Sequence, residues 1–189
     1  MSQARVIVIS SVSGGGKTTL INKLREQFPD LRPAITATTR KPRPGELDGD
    51  HYYFYSKEAF EKQIAAGGFL EHAFVHGNHY GVPRPPVEAE LQKGNSVILN
   101  IDVQGMRAVK EQLSDRVFTV FILPPDMDIW EERLRSRKTE SEEQLKMRLQ
   151  QGALELEAAF EYDYRIMNKD LNRAVQELIQ VLRKEAVID

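Results

Sequence analysis

Lys17 and Thr18 follow directly on a glycine-rich stretch, Ser13-Gly14-Gly15-Gly16. That stretch is entered from an apolar, β-branched run, Val6 to Ile9, and left through a helical pattern, Leu20, Ile21 and Leu24. Strand, tight turn and helix start in that order build an anion site. Glycines let successive backbone N–H groups converge on one concavity, and the helix start adds unpaired N–H groups and the positive end of its dipole. The polyphosphate of a nucleotide suits such a concavity. Lys17 would reach its β- and γ-phosphates, and the Thr18 hydroxyl would hold Mg²⁺. The strict pattern G-x-x-x-x-G-K-[ST] is broken once, by Ser11 in place of the first glycine. A small residue there still leaves room for the turn.

Other residues of chemical interest lie further along. Arg40 and Arg43 stand three apart in a polar segment stiffened by Pro42 and Pro44, and such a pair can grip phosphate through charge-assisted hydrogen bonds. From its composition, the segment 35–50 is expected to be a loop that contributes nothing to a core. Glu71 interrupts the apolar stretch Phe69 to Val75. It reads either as an outward-facing carboxylate or as an acceptor for a base in a cleft. Asp102 closes the apolar strand Val97 to Ile101, where open parallel sheets place ligand contacts, and can equally cap the next helix. Arg133, Arg135, Arg137 and Lys138 cluster after a helix, and Arg148 lies on the next one. In a chain that already has a phosphate loop, that basic cluster suggests a flap closing over triphosphate. His51, His72, His76 and His79 lack an i, i+4 helical pair or a carboxylate-rich frame, so no metal site is read from them.

Periodicity supplies the elements that must position these groups. Apolar runs at Val6–Ile9, 97–101 and 117–123 do not alternate, as befits strands buried on both faces. A hairpin is expected over 69–82 with its turn at 76–78, a strand at 52–55, and a Ser56-capped helix to residue 64. Helices are expected over 86–93, through Met106 to Leu113, over 141–162, and from Leu171 to Leu182 after a strand at 164–168. The alternation implies an α/β, three-layer fold with a central parallel sheet. The chain of 189 residues fits one domain, and its 26 Lys plus Arg nearly balance 28 Asp plus Glu. No global positive field would attract nucleic acid or an acidic membrane. With no cysteine, disulfides and thiol chemistry are excluded. No apolar window approaches the ~18 residues of a membrane span and the start carries no signal-like segment, so a cytoplasmic location is expected.

Read in order, these blocks resemble the guanylate kinases, P-loop nucleoside monophosphate kinases. The specific ones are Thr38-Thr39-Arg40-Lys41-Pro42-Arg43-Pro44-Gly45-Glu46, Asp48-Gly49 with Tyr52, then Glu71 and Gly77-Asn78-His79-Tyr80-Gly81. Ile101-Asp102-Val103-Gln104-Gly105 and the stretch from Arg135 through Arg137 to Glu140 complete the set. The resemblance implies a P-loop core (about 1–34, 83–125 and 158–189), an inserted GMP-binding region (about 35–82) and a helical lid (about 126–157). It implies transfer of the ATP γ-phosphoryl group to GMP, and to dGMP, with Mg²⁺, in purine nucleotide metabolism. Carried over by position, Ser13, Gly14, Gly15, Gly16, Lys17, Thr18 and Thr19 would bind ATP phosphates, and Asn168 would lie where adenine packs. Arg40, Arg43, Tyr52 and Tyr80, with Thr36 and Glu46 beside them, would hold the GMP phosphate. Glu71, with Asp102 nearby, would accept from guanine N1–H and the 2-amino group. Lys17, Arg43, Arg137 and Arg148 would surround the transferring phosphoryl group.

The chain departs from the family's pattern at several points. Val82 stands where a Ser or Thr hydroxyl usually meets guanine; one neutral hydrogen bond is worth roughly 0.5–1.5 kcal/mol, which would raise the GMP requirement several-fold. Asn100 replaces a usual acid beside the guanine site, which bears on base selectivity. Val12, Ala37, Lys138 and Lys169 are further departures, and none removes a charge that the transfer needs. The same residues admit two other readings, an interaction module that has lost turnover and a kinase of another nucleoside monophosphate. Partners are expected to be small-molecule ATP and GMP.

Overall fold

In the computed structural model of the protein, residues 4–75, 77–135, 142–185 and 187–188 are described. The first apolar run forms β1 (Val6–Ser11), buried throughout. It lies at the centre of a five-stranded sheet in the order β2 (Arg32–Pro33), β7 (Val97–Asn100), β1, β8 (Val117–Leu123), β9 (Tyr164–Met167), with every pairing parallel. Residues of β1 feed two cores in alternation, which is why Val6–Ile9 carries no polar position. Val6 and Val8 join Leu99, Met106, Val109 and Trp130 on one face; Ile7 and Ile9 join Leu20, Leu24, Leu178 and Leu182 on the other.

Helix α1 (Lys17–Gln27), which leaves β1, therefore covers the second face, with α7 (Leu171–Lys184) beside it. Helix α4 (Val103–Leu113), which leaves the neighbouring strand β7, covers the first. Connections that depart to opposite faces open a crevice between the carboxyl ends of two adjacent strands. Lys17 and Asp102 stand at that crevice.

The inserted region forms its own four-stranded sheet in the order β4 (Tyr53–Phe54), β3 (Ala37–Thr38), β6 (Asn78–Pro83), β5 (Phe69–Val75). Helix α2 (Lys57–Ala65) packs Phe60 onto Phe69, ring centroids 4.3 Å apart, beside Ala37. Ser56 starts that helix, its hydroxyl accepting from Ala59 N–H at 3.1 Å. Helix α3 (Arg84–Gln92) returns the chain to the main sheet. Helices α5 (Met127–Arg135) and α6 (Glu142–Glu157) follow β8.

Residues 35–50 are not only loop. Ala37 and Thr38 form β3 and are fully buried. A small apolar residue and a satisfied hydroxyl suffice: Thr38 Oγ1 donates to the His79 carbonyl at 3.0 Å and accepts from Arg40 N–H at 3.1 Å. The strand expected over 52–55 shortens to Tyr53–Phe54. The helix expected from Pro86 begins at Arg84, since proline is tolerated in a first helical turn. The helix expected to reach residue 162 ends at Glu157 and passes into a 3₁₀ turn, Ala158–Glu161.

One polar staple joins β8 to the start of β9. Both the N–H and the hydroxyl of the fully buried Thr119 donate to Asp163 Oδ2 at 2.8 Å, and Asp163 N–H donates back to the hydroxyl at 2.9 Å. Asp163→Ala leaves the threonine donors without this acceptor, and a loss of about 1–3 kcal/mol in a urea titration is expected. An unchanged midpoint would show that the staple contributes nothing.

Candidate active site

The turn after β1 is held in a left-handed conformation at Gly14 (φ 81°) and Gly16 (φ 91°), which glycine adopts without strain. A side chain at Gly15 would collide with Ser11 Oγ. That hydroxyl donates to the Ile122 carbonyl at 2.8 Å. Ser11 thus fits the first glycine position of the phosphate-loop pattern by turning its hydroxyl into the sheet, at the expense of any side chain at residue 15. Thr18 and Thr19 are exposed in the first turn of α1. Among the described residues no three His, Cys, Asp or Glu side chains gather into a metal cage. The exposed Thr18 hydroxyl fits the sparse protein contact that Mg²⁺ takes when phosphates and water complete its shell.

Lys17 extends from the helix start to the end of β7, where Nζ donates to the Ile101 carbonyl at 3.4 Å. The same carbonyl accepts from Ser10 Oγ at 2.8 Å. Burial pulls the ammonium below its usual pKa, and the carboxylates of Asp102 and Glu155 oppose that shift. Asp102 caps α4, Oδ1 accepting from Gly105 N–H at 2.8 Å, while remaining exposed to the cleft. Of its two sequence readings, the cap is thus present.

Across the cleft, Glu71 on β5 is partly buried. Burial first, and then the charge of Asp102, push its carboxyl up from 4.5 to about 7. It is not a freely solvated outward carboxylate. Asp102 therefore acts electrically on both Lys17 and Glu71, which ties the phosphate loop and the inserted sheet to one space.

The inserted sheet also presents a prepared guanidinium. Arg40 meets Glu46 side-on, with Nη1–Oε2 and Nη2–Oε1 both at 2.9 Å, and lies over the Tyr52 ring, 5.3 Å from its centroid. Glu46 also accepts from Arg43 N–H at 2.7 Å. The Arg40 hydrogen bonds, and then the Arg43 N–H, hold its carboxyl down to about 2. Glu46 thus fixes Arg40 and the backbone of Arg43 together, and the Arg43 side chain stays exposed. Tyr80 stands opposite Thr38 in the β3–β6 register, close enough to raise the Arg40 pKa further. Thr36 lies at the edge of this group, its carbonyl accepting from Tyr53 N–H at 2.9 Å.

The other expected residues differ in burial and partners. Val82 is fully buried in the main core, opposite Glu71 in the β5–β6 register. Asn100 is exposed at the end of β7. Asn168, expected against adenine, lies under the phosphate loop, 6% exposed, with Nδ2 donating to the Gly15 carbonyl at 3.0 Å. In the basic cluster, Arg135 is occupied by Glu131 and Glu142, both at 2.8 Å, and fastens α5 to α6. Arg137 and Lys138 lie outside the described residues. Arg148, on α6, donates from Nη1 to Ser13 Oγ at 3.1 Å.

Two contributors escaped the sequence reading. Glu155 on α6 adds a carboxylate near Lys17, its own pKa raised chiefly by burial. Trp130 on α5, fully buried, donates from its indole N–H to the Ser13 carbonyl at 2.7 Å. A single tryptophan in the chain and a mid-helix glycine, Gly152, that accommodates its ring were the available signals. A crevice of about 560 Å³ between Arg32, Tyr53, Pro86 and Glu90 contains none of the charged groups above. The chemistry is located by charge and hydrogen bonding, not by that crevice.

Known proteins resemble this chain along nearly its whole length. The sequence pattern described as guanylate kinase matches residues 3–185. A guanylate kinase of Carboxydothermus hydrogenoformans is 47% identical over 185 residues, covering 98% of this chain and 90% of the relative. One from Desulfitobacterium hafniense is 46% identical over 180 residues, covering 95% and 90%. Among solved structures, a guanylate kinase from Anaplasma phagocytophilum superposes with a TM-score of 0.77 at 34% identity, covering all of this chain and 89% of that one.

Proposed function

This chain belongs to the guanylate kinase family, and from that premise we infer that it transfers the γ-phosphoryl group of ATP to GMP, giving ADP and GDP. The observation that carries the reading is the shared cleft: a phosphate loop with Lys17 on one side, Glu71 on the other, and Asp102 acting on both. Phosphoryl transfer asks little covalent work of a protein. It needs donor and acceptor held in line while cations take up charge on the equatorial oxygens.

Each side chain then has a task. The loop from Ser13 to Gly16, with Lys17, Thr18 and Thr19, cradles the ATP phosphates, and Lys17 follows the β- and γ-oxygens. Thr18, with the ATP phosphates, would hold Mg²⁺, which would supply charge neutralisation there. Arg40, fixed by Glu46, and Arg43 grip the GMP phosphate with Tyr52 and Tyr80, Thr36 standing beside them. Glu71 accepts from guanine N1–H and the 2-amino group near Asp102 and Asn100. Arg148, and Arg137 from the sequence, complete the positive surround. In this reading residues about 35–82 form the GMP-binding region and about 126–157 the lid, which closes to exclude water. The small-molecule substrates and a site of action in the cytoplasm, serving purine nucleotide metabolism, follow from the same reading. No helix among the described residues is long and apolar enough to cross a membrane.

The raised Glu71 pKa gives this recognition a pH signature. Guanine donors favour the ionised carboxylate, so GMP binding competes with a proton held until about pH 7. KM for GMP is expected to be flat above about pH 8 and to rise below 7 by nearly tenfold per unit. A KM that is constant from pH 8 to 5.5 would remove Glu71 from the guanine contact. The reaction itself is checked by ³¹P NMR of a mixture of ATP, GMP and Mg²⁺. Growth of GDP and ADP together, abolished by EDTA, is expected; ADP and inorganic phosphate without GDP would contradict the transfer.

A further inference from the structure

A phosphate loop binds anions only while its N–H groups face inward, so its carbonyls must be held facing away. Here the carbonyls with a partner are anchored in two ways, by local backbone bonds or by distant side chains. Val12 accepts from Gly15 N–H at 3.0 Å and Gly16 from Leu20 N–H at 3.1 Å, both local backbone bonds. Gly15 accepts from Asn168 Nδ2 at 3.0 Å. Ser13 accepts from the indole N–H of Trp130 at 2.7 Å. Across a planar trans peptide, a carbonyl and the following N–H point in opposite directions. Pinning the Ser13 carbonyl therefore fixes where the Gly14 N–H points, at the residue whose φ of 81° sets the turn.

The donor is fully buried in the core beside β1 and is carried by a helix that follows β8. Trp130 belongs to α5, and a side chain at Gly152 on α6 would strike its six-membered ring, so the indole is packed directly on that helix. One turn on from Trp130, Leu134 would be 3.2 Å from a side chain at Gly14. Arg148, one turn before Gly152, reaches the hydroxyl of the same Ser13. The indole is thus wedged between the phosphate loop and the helix pair that follows β8.

We propose that Trp130 is a positioning residue for ATP. Its indole holds the Ser13–Gly14 peptide in the anion-binding orientation, and through Gly152 it makes that orientation depend on where α6 lies. The proposal rests on the reading of the loop as the ATP site. As the chain's only tryptophan, it also reports on the loop spectroscopically.

Trp130→Phe keeps an aromatic ring but removes the donor together with part of the ring volume. One buried hydrogen bond predicts a rise in KM for ATP of about tenfold, with KM for GMP and kcat changed less than twofold. Gly152→Ala, which displaces the indole without touching the loop, is expected to raise KM for ATP in the same direction. In the unaltered protein, tryptophan emission is expected to change on titration with a non-hydrolysable ATP analogue and not with GMP alone. An unchanged KM for ATP in a folded Trp130→Phe, or equal rises for ATP and GMP, overturns the proposal. If that variant does not fold, emission that ignores the analogue overturns it instead. Calorimetry of the analogue with the unaltered protein keeps the two levels apart. No binding there defeats the reading of the loop, whereas binding that Trp130→Phe leaves untouched defeats only the role of the indole.

Discussion

Lys17→Met is expected to lower kcat by on the order of 10³ or more while leaving the fold intact, because phosphoryl transfer depends on preorganised positive charge more than on any covalent step. The lysine stem spans from the start of α1 to the Ile101 carbonyl, and methionine preserves much of its length and apolar contact. What it removes is the ammonium, which burial already destabilises in the free protein. Loss of a charge poised against desolvation should leave thermal stability unchanged or slightly higher. The resulting separation of stability from activity distinguishes a catalytic charge from a structural one. Single-turnover rates with saturating ATP, GMP and Mg²⁺ measure it. A decrease below tenfold would mean that Lys17 does not meet the transferring group, and the burden would shift to Arg43, Arg148 and Arg137.

The second large effect concerns Glu71. Glu71→Gln replaces an acceptor of two guanine hydrogen bonds by an amide that can satisfy only part of the pattern, and hydrogen bonds to a charged group are worth about 1.5–3 kcal/mol each. kcat/KM for GMP is therefore expected to fall by about 10²-fold, and discrimination against AMP should narrow with it. Stability should move the other way. Folding raises this acid's pKa from 4.5 to about 7, so the native state holds the proton more tightly than the unfolded chain. Stability accordingly falls as pH climbs through that window, and the full penalty is present above about 7. Removing the ionisable group should recover on the order of 1–2 kcal/mol at pH 8 and little at pH 4. Urea titrations of both proteins at the two pH values test the sign. A glutamine variant that is less stable at pH 8 than at pH 4, relative to the native protein, would contradict the cause assigned to the shift.

How much of this was readable from the chain depends on where each interaction lives. Strand, glycine turn and helix at 6–24 are local, and each is encoded by composition and periodicity alone. The parallel sheet followed from apolar runs without alternation, and β1 feeding two cores is the physical reason. Strand β3 was missed because a two-residue strand has no period, and Thr38 is buried only by virtue of hydrogen bonds to His79 and Arg40. Glu71 was left between two readings, since only the fold brings it against Asp102. Asn168 and Trp130 were invisible as loop supports for the same reason: their partners, the Gly15 and Ser13 carbonyls, are backbone atoms distant in sequence. Glu46 entered the sequence reading only through the family resemblance, and its pairing with Arg40, six residues away, came from the fold.

The most direct test of the central claim is the steady-state rate of ADP release from ATP-Mg²⁺ with GMP, dGMP, AMP, UMP and CMP supplied separately, beside a control without acceptor. Fast turnover with GMP, appreciable turnover with dGMP and rates near the control with the other three are expected, because Glu71 reads the guanine edge and nothing described reads the ribose 2′-hydroxyl. Equal rates with AMP, or ADP release that does not depend on any acceptor, would contradict GMP-directed phosphoryl transfer and with it the assignment of Glu71 and Arg40 to the acceptor site.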